Sequence, residues 1–301
     1  MALQQQQQQQ QQPVEGNIFA HISNGYYHFT AAERKVADYV LNHSTEVQYM
    51  SISDLAEECG VAEATVSRFC RQLKLKGYNA FKLALAKATV ADQGGVAPVL
   101  EGQEGNIDPE DSLPDLCRKL YAAQTAAIGQ SMSLIRPEAI TRAVDLLQKA
   151  ERVYCMGQGG SLILSWQAAH LFSTVSPKFH FSQDSHLQAT TAALLTERDA
   201  ILFFSYSGST RDITELMGLA KKRGASIILI TRFSKSPGAA RADVVLQCGS
   251  FESPLQLSSI PAEMAQLYVV DVLYNEFVRR DPETAHRNQE RIAEALAEKH
   301  L

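Results

Sequence analysis

The sequence predicts two domains of different class: an all-α N-terminal domain, and an α/β C-terminal domain with a five-stranded parallel sheet flanked by helices. Residues 17–90 carry apolar residues at helical spacing, whereas residues 112–301 alternate short β-rich runs with helix-length segments. Between them, the stretch ADQGGVAPVLEGQEGNI holds four glycines and no helical period. We therefore expect a linker over 91–111.

Composition indicates a globular protein with a sizeable core. Of its 301 residues, 45% are apolar and 20% are charged. No run approaches about 18 consecutive apolar residues, and the start of the chain has neither a basic segment nor an apolar core. We therefore expect a cytoplasmic protein with no membrane partner. The glutamine tract at residues 4–12 predicts a disordered tail over 1–16.

The cysteines and histidines predict neither a metal site nor a cofactor. The five cysteines form no CxxC pair, and the eight histidines form no HExxH motif. An odd number of scattered cysteines is typical of small buried hydrophobes in a reducing compartment. We assign no metal and no cofactor.

Capping and periodicity predict the helices of the N-terminal domain. Thr30 and Glu33 form a capping box ahead of apolar residues at helical spacing. A later helix ends at Gly60, a residue type that is typical of helix C-termini. Further helices are predicted over about 52–59, over about 64–73, and from about 80 into the eighties.

Strand-like runs separated by helices predict the parallel sheet of the C-terminal domain. The runs are 153–156, 178–181, 200–204, 226–230 and 244–248. Helices are predicted over about 112–134, over about 138–150 and over roughly the last forty residues. Strands joined through helices need crossover connections, which favour parallel strands covered on both faces.

Charge is distributed unevenly over the N-terminal domain. The net charge of −5 disfavours a protein that coats nucleic acid indiscriminately. However, residues 46–63 hold five acids and no bases, and residues 64–90 hold six bases and no acids. Phosphate attraction acts over about 8–10 Å, so this local basic surface matters more than the total charge.

Two short helices joined by a tight turn at Gly60 have the layout of a helix-turn-helix. Apolar side chains are predicted to pack inward, namely Leu55, Ala56, Val61, Val66, Phe69 and Leu73. The outer side of the second helix, where a recognition helix reads the major groove, then carries Thr65, Ser67, Arg68 and Arg71. The bases that follow are further candidates for DNA contact: Lys74, Lys76 and Lys82. The alternative is a plain helical hairpin with a solvated basic helix.

The string MSISDLAEECGVAEATVSRFCRQL over 50–73, continued by KGYNAFK over 76–82, carries a family resemblance. Residues 17–90 resemble the helix-turn-helix domain of the RpiR family of bacterial transcription regulators. The resemblance implies operator DNA as a partner. Ala62 stands where the family usually has serine, so we expect the recognition helix to lack a side-chain N-cap, at a cost of about 1 kcal/mol.

Two loops of the C-terminal domain suit a phosphate. The loop GQGGS over 157–161 follows the first strand and opens a helix, whose N-terminus favours anions. Leu162 stands where the dinucleotide fingerprint needs glycine, which disfavours a nicotinamide cofactor. The loop SYSGST over 205–210 follows the third strand, and its hydroxyls and backbone N–H groups can surround a phosphate without Lys or Arg. The alternative is a serine-rich turn that only caps a helix.

These loops match the G-x-G-x-S and S-x-S-G-x-T loops of the sugar isomerase (SIS) domain, which residues 112–280 resemble. The resemblance implies a sugar-phosphate effector, and a homodimer or homotetramer with the ligand near the subunit interface. The predicted ligand contacts in the loops are Gly157, Gln158, Gly159, Ser161, Ser205, Ser207, Gly208, Ser209 and Thr210. Ser258 and Glu263, at the start of a late helix, match more loosely.

The leading prediction is a transcription regulator, not an enzyme, whose operator binding is controlled by a phosphorylated sugar. The alternative is a sugar-phosphate isomerase or etherase of the SIS type. Isomerisation needs a base beside the sugar carbon, and the candidates are Glu215 and Glu263. Neither has an evident partner carboxylate or histidine in the sequence. The basic segment 64–90 has no purpose in a free-standing enzyme, which favours the regulator.

Overall fold

The structure, a computed structural model, describes residues 17–92, 107–250 and 259–297, and they form two compact units. One unit lies before the first gap and the other after it. The predicted tail over 1–16 and most of the predicted linker over 91–111 lie outside the described residues.

The first unit is helical, as predicted. Its α-helices are α1 (Ile18–Gly25), α2 (Ala31–Asn42), α3 (Ser44–Val47), α4 (Ile52–Glu58), α5 (Glu63–Gln72) and α6 (Tyr78–Asp92). The capping box of Thr30 and Glu33 is confirmed at the start of α2. Helix α6 begins two residues before the predicted Ala80 and continues to Asp92.

Aromatic rings hold the core of the first unit together. Phe69 of α5 is fully buried, with its ring centroid 5.1 Å from that of Phe29 and 5.7 Å from that of Phe81. The predicted inward side chains of α4 and α5 are buried, except that Val61 is only partly buried against the same cluster. Helix α5 packs against α2, α4 and α6, and these contacts fix its orientation.

A buried carboxylate links α2 to α5. Glu33 is 2% exposed, and its Oε2 accepts hydrogen bonds from the backbone N–H (2.9 Å) and the hydroxyl (2.8 Å) of Thr30. The side-chain amide of Gln72 donates to the same carboxylate at 3.2 Å. Glu33 thus caps α2 and also holds the end of α5 through Gln72. A buried carboxylate needs such donors, because leaving it without hydrogen bonds costs free energy.

The second unit alternates helices and strands. Its α-helices are α7 (Leu113–Leu134), α8 (Pro137–Lys149), α9 (Gly160–Ser173), α10 (Ser185–Leu194), α11 (Arg211–Lys222), α12 (Ile260–Arg280) and α13 (Pro282–Ala297). Its strands are β1 (Arg152–Met156), β2 (Phe179–Phe181), β3 (Asp199–Phe204), β4 (Ser226–Thr231) and β5 (Val244–Gln247). Each strand ends within one residue of its prediction. No helix in the described part of the chain is long and apolar enough to cross a membrane.

The five strands form one parallel sheet in the order β2-β1-β3-β4-β5. Side chains of β3 alternate between its two faces: Leu202 and Phe204 pack with α8, α9 and α12, whereas Ile201 and Phe203 pack with α10 and α11. Both faces are therefore buried, which is why the strands read as continuous apolar runs. The order reverses between β1 and β3, and ligands bind at such a point in open α/β sheets.

Asp199 fastens the opposite, amino-terminal edge of the sheet. Its carboxylate is 1% exposed and accepts two hydrogen bonds of 2.8 Å from the Arg152 guanidinium. The backbone N–H and hydroxyl of Thr196 donate to the same carboxylate. Burial raises the pKa of Asp199, but these donors outweigh burial and hold its pKa below the ordinary value.

Replacing Asp199 by asparagine should lower the free energy of unfolding at pH 7 by about 2 kcal/mol, because hydrogen bonds to a charged group contribute about 1.5–3 kcal/mol and Arg152 is half exposed. The folded-state pKa lies below the unfolded value of about 3.9, so this stability is present above that pH and is lost as the pH falls through the folded-state pKa. Urea unfolding of both proteins at pH 7 and near pH 3 measures the difference.

The exposed pair of Asp115 with Arg118 supplies the control. Asp115→Asn should cost less than about 1 kcal/mol, as surface pairs do. A difference between Asp199→Asn and the parent that stays the same at pH 7 and near pH 3 would contradict the assignment.

Candidate functional site

Helices α4 and α5 are joined by a tight turn at Gly60. The N–H of Gly60 donates to the Glu57 carbonyl at 3.0 Å, and the N–H of Val61 donates to the Ala56 carbonyl at 2.9 Å. Gly60 has a φ of +60°, and a Cβ there would meet nothing within 4 Å, so backbone conformation alone calls for glycine. The predicted helix-turn-helix layout is confirmed.

The outer face of α5 carries Ala64, Ser67, Arg68 and Arg71, of which Ser67 is half-buried and the others are exposed. The expectation that Thr65 also lies outside is wrong, because Thr65 is 5% exposed. It lies one turn before Phe69 and therefore shares the core-facing side of the helix. Its hydroxyl accepts a hydrogen bond from the Arg68 guanidinium at 3.1 Å and so restrains that side chain.

Of the other predicted bases, Lys74 and Lys76 lie just after α5, and Lys82 lies in α6. Lys74 and Lys76 are exposed, whereas Lys82 is half-buried with its Nζ 6.0 Å from the centre of the Tyr78 ring. No carboxylate of the described residues forms an ion pair with Arg68, Arg71, Lys74 or Lys76. Their positive charge is therefore not neutralised within the described chain.

Helix α5 begins and ends without the residues that usually fit there. Ala62 is its N-cap and supplies no side-chain hydrogen bond, as predicted. At the other end Lys74 has a φ of +59°, and the next N–H, of Leu75, donates to the Cys70 carbonyl at 3.0 Å. Glycine is the usual residue at this position of a helix terminus, so a lysine there costs about 1 kcal/mol.

A cavity of about 280 Å³ lies at the carboxyl ends of β1 and β3, where the strand order reverses. Helix α12 forms its far wall. The lining residues are Gln158, Gly159, Gly160, Ser161, Leu164, Phe203, Phe204, Ser205, Tyr206, Ser207, Thr210, Ser259, Ala262, Glu263 and Gln266. Of the predicted ligand contacts, Gly157, Gly208 and Ser209 do not line the cavity, and Ser258 lies outside the described residues.

The loop over 205–210 is held in shape by its own hydrogen bonds. The Gly208 N–H donates to the Ser205 hydroxyl at 3.1 Å, and the Ser209 N–H donates to the Ser207 hydroxyl at 3.3 Å. Gly208 has a φ of +59°, and a Cβ there would come within 2.1 Å of the Ser236 hydroxyl oxygen. Gly208 and Ser209 thus shape the loop, while Ser205 and Ser207 line the cavity.

A buried glutamine, which the sequence reasoning missed, supports the other loop. Gln188 is fully buried, and its amide donates to the carbonyls of Gly157 (3.1 Å) and Ser182 (2.9 Å). Its Oε1 accepts from the Gln158 side chain at 3.1 Å. Gly157 therefore contributes through its carbonyl, which fastens the loop to α10, and not through the cavity surface.

Two helices open at the cavity without a side-chain cap. Gly159 precedes α9 and Thr210 precedes α11, and neither caps its helix, whereas Asp184 caps α10 by accepting from the Leu187 N–H. The first N–H groups of an α-helix have no partner within it, and the N-terminus carries partial positive charge. Both features favour an anion here.

Comparison with known proteins identifies both units. A family model described as "Helix-turn-helix domain, rpiR family" matches residues 16–92, and one described as "SIS domain" matches residues 146–275. An uncharacterised HTH-type transcriptional regulator of Caldanaerobacter subterraneus is 30% identical over 269 residues, which are 89% of this chain and 93% of that protein. The chain belongs to the RpiR family. It is a transcriptional regulator with a helix-turn-helix domain and a SIS domain.

Two further relatives cover this RpiR-family regulator almost completely. The HTH-type transcriptional regulator HexR of Escherichia coli is 29% identical over 94% of this chain and 95% of its own. A solved structure of Vibrio vulnificus NanR complexed with ManNAc-6P is 27% identical, with a TM-score of 0.83 over 94% of this chain and 99% of that chain.

The two sites of the regulator differ in charge. The outer face of α5 carries Arg68 and Arg71, and the chain just after it carries Lys74 and Lys76, none of them in an ion pair with a described residue. Among its described lining residues, the cavity has no Lys, Arg or His and one carboxylate, Glu263. Among the described residues, the cavity therefore offers an anion hydroxyls, backbone N–H groups and helix N-termini.

Replacing Lys74 by glycine should raise the free energy of unfolding of the first unit by up to about 1 kcal/mol, because glycine adopts a positive φ without a steric penalty. It should also weaken DNA binding, since one positive charge is lost. Urea unfolding and fluorescence anisotropy with labelled DNA measure the two effects.

Lys76→Gly is the matched control, because Lys76 loses the same charge without a positive φ to relieve. It should weaken DNA binding without stabilising the unit. A Lys74→Gly protein less stable than the parent would contradict the account of this helix end.

Proposed function

We propose that the regulator binds operator DNA through α5 and that a phosphorylated sugar in the SIS cavity controls this binding. The observation that carries the proposal is the neutral set of phosphate donors at the cavity: the hydroxyls of Ser161, Ser205, Ser207 and Thr210 beside two uncapped helix N-termini. NanR, which is similar over nearly the whole chain, is described in complex with ManNAc-6P. That ligand is a sugar phosphate, the chemical class proposed here.

The exposed residues of α5 suit a major groove. Ala64 at the start of the outer face can contact a thymine methyl group, and Arg68 and Arg71 can bond guanine edges or phosphates. Lys74, Lys76 and Lys82 then add phosphate contacts. We propose that the protein acts in the cytoplasm as a homodimer or homotetramer, which would place two such helices on half-sites about one DNA turn apart.

An isomerase or etherase is the second candidate function, and the cavity favours it less. Glu263 is the one carboxylate among the described lining residues, and no histidine or lysine lines the cavity beside it. Glu215, the other candidate base, pairs with Arg211 at 2.8 Å and does not line the cavity. General acid–base chemistry needs a positioned proton donor as well as a base. We propose that the protein is not an enzyme, and turnover of sugar phosphates by the purified protein would contradict this.

Removing the bases of the DNA face should weaken operator binding in two distinguishable ways. Arg68→Ala and Arg71→Ala should reduce affinity for the operator more than for random DNA, by about 1–3 kcal/mol for a contact to a base. Lys76→Ala and Lys82→Ala should weaken binding to all sequences and reduce the salt slope by roughly 1 for each lost contact, doubled in a dimer. Anisotropy titrations over a range of salt concentrations measure both.

Lys222→Ala removes an exposed base from the second unit and should leave the salt slope unchanged. If the quadruple variant of Arg68, Arg71, Lys76 and Lys82 binds operator as the parent does, the proposed interface is wrong.

Ser207→Asp should abolish the response to sugar phosphate but preserve operator binding. A carboxylate about 4 Å from the ligand's phosphate repels it by about 4 kcal/mol at an effective dielectric constant of 20, which is roughly a thousandfold loss of affinity. The basic face lies in a different unit and keeps its charge. Operator affinity with and without each member of a sugar-phosphate panel is the measurement.

The exposed Ser133, in the last turn of α7, provides the matched control. Ser133→Asp makes the same chemical change away from the cavity and should leave the ligand response intact. The melting temperature of both variants checks folding. A well-folded Ser207→Asp protein with a full ligand response would remove the loop over 205–210 as the phosphate site.

A further inference from the structure

One buried acceptor, on a residue that lines the cavity, has no hydrogen-bond donor among the residues that the structure describes. Gln266 of α12 is 3% exposed and lines the cavity one turn beyond Glu263. Its Nε2 donates to the Ala262 carbonyl at 3.2 Å. Its Oε1 accepts no hydrogen bond from any residue in the described part of the chain.

The orientation of this amide follows from its neighbour. The Ala262 carbonyl can only accept a hydrogen bond, so the nitrogen of the Gln266 amide, and not the oxygen, must lie against it. A flipped amide would place two acceptors together and leave the nitrogen without a partner. The oxygen is therefore the atom of this amide that is left without a partner.

Gln188 shows what a structural buried glutamine does in the same domain. Its Nε2 donates to two carbonyls and its Oε1 accepts from Gln158, so that both ends of the amide have partners. Most buried polar atoms in folded proteins are paired in this way, because an unpaired one costs free energy. Gln266 departs from that pattern at a position that lines the cavity.

We propose that Gln266 is a specificity-determining residue whose Oε1 accepts a hydrogen bond from a hydroxyl or N–H group of the sugar, at the end of the ligand away from its phosphate. This inference rests on the proposed function, since it assumes a phosphate at the loops over 157–161 and 205–210. The ligand class is then a sugar phosphate that presents a donor to α12. A ligand with only a carbonyl oxygen at that place would meet an acceptor and bind poorly.

Methionine is the informative replacement, because it keeps the length of the side chain and removes the acceptor. Gln266→Met should raise the Kd of the preferred sugar phosphate about ten- to hundredfold, the usual effect of losing one hydrogen bond to a buried group. The Kd of inorganic phosphate, which reaches only the loops, should stay within about twofold. The ligand-free protein should melt at a higher temperature, since an unpaired buried polar group is replaced by an apolar one.

Calorimetric titration of the full chain tests this with two probes. The first probe is inorganic phosphate, and the second is the member of a panel of pentose and hexose phosphates, ManNAc-6P included, that most raises the melting temperature of the parent. Gln188→Met is the matched control: it should lower the melting temperature and weaken both probes, because it releases the loop at Gly157. Gln266→Leu repeats the test with a second apolar side chain.

Analogues of the second probe that lack one hydroxyl or N–H group then locate the donor. For one analogue the loss of affinity seen with the parent should vanish in Gln266→Met, so that the two changes are not additive. Additive losses for every analogue would overturn the inference.

The inference is also overturned if both Gln266 variants keep the parent's affinity for the sugar phosphate. It is overturned as well if both variants lose affinity for inorganic phosphate and for the sugar phosphate to the same extent. These outcomes leave the phosphate site in place. If inorganic phosphate does not bind the parent, or no sugar phosphate binds better than phosphate alone, the proposed function fails, and this inference fails with it.

Discussion

Every strand of the sheet runs in the same direction, and the position of the cavity follows from that constraint. Parallel strands need a crossover after each strand, and the helices that supply the crossovers here all begin at the carboxyl edge of the sheet. At the reversal between β1 and β3, successive crossovers leave toward opposite faces, and the edge between them stays open. The loops over 157–161 and 205–210 lie at that opening.

In the proposed function the chain binds phosphate in two ways, and the difference suits the two partners. DNA presents a dense row of charges, so Arg68 and Arg71 on α5, and Lys74 and Lys76 just after it, would gain from counterion release as well as attraction. A small effector must be bound and released as its concentration changes. Hydroxyls and helix N-termini would bind its phosphate with less charge than a cluster of cations would.

The sequence predicts the elements well because their signals are local. The central strands β3 and β4 are apolar runs buried on both faces, and the Thr30–Glu33 capping box involves one turn of helix. The misses involve contacts between distant segments. The prediction that Thr65 lies on the outer side is wrong, because its position one turn from Phe69 puts it against the core.

The same distinction applies within the cavity. The serine loop is recognisable because its residues are consecutive, but the loop's own hydrogen bonds decide which hydroxyls line the cavity, and Ser209 is among those that do not. Gln188 and Gln266 lie 31 and 109 residues after Gly157 along the chain, with no motif to mark them. Their roles depend on which carbonyl each amide meets: Gly157 for Gln188, and Ala262, in its own helix, for Gln266.

Linkage sets what the cavity must do for the proposed regulation to work. A sugar phosphate changes operator affinity only as far as it binds one arrangement of the protein better than another, and operator DNA must change sugar-phosphate affinity by the same factor. A tenfold change in operator affinity needs a difference of about 1.4 kcal/mol. One hydrogen bond made in only one arrangement, with the buried donor left unpaired in the other, contributes about 1–3 kcal/mol. The contact proposed for Gln266 is of that size, so the residue that selects the sugar could also supply much of the coupling.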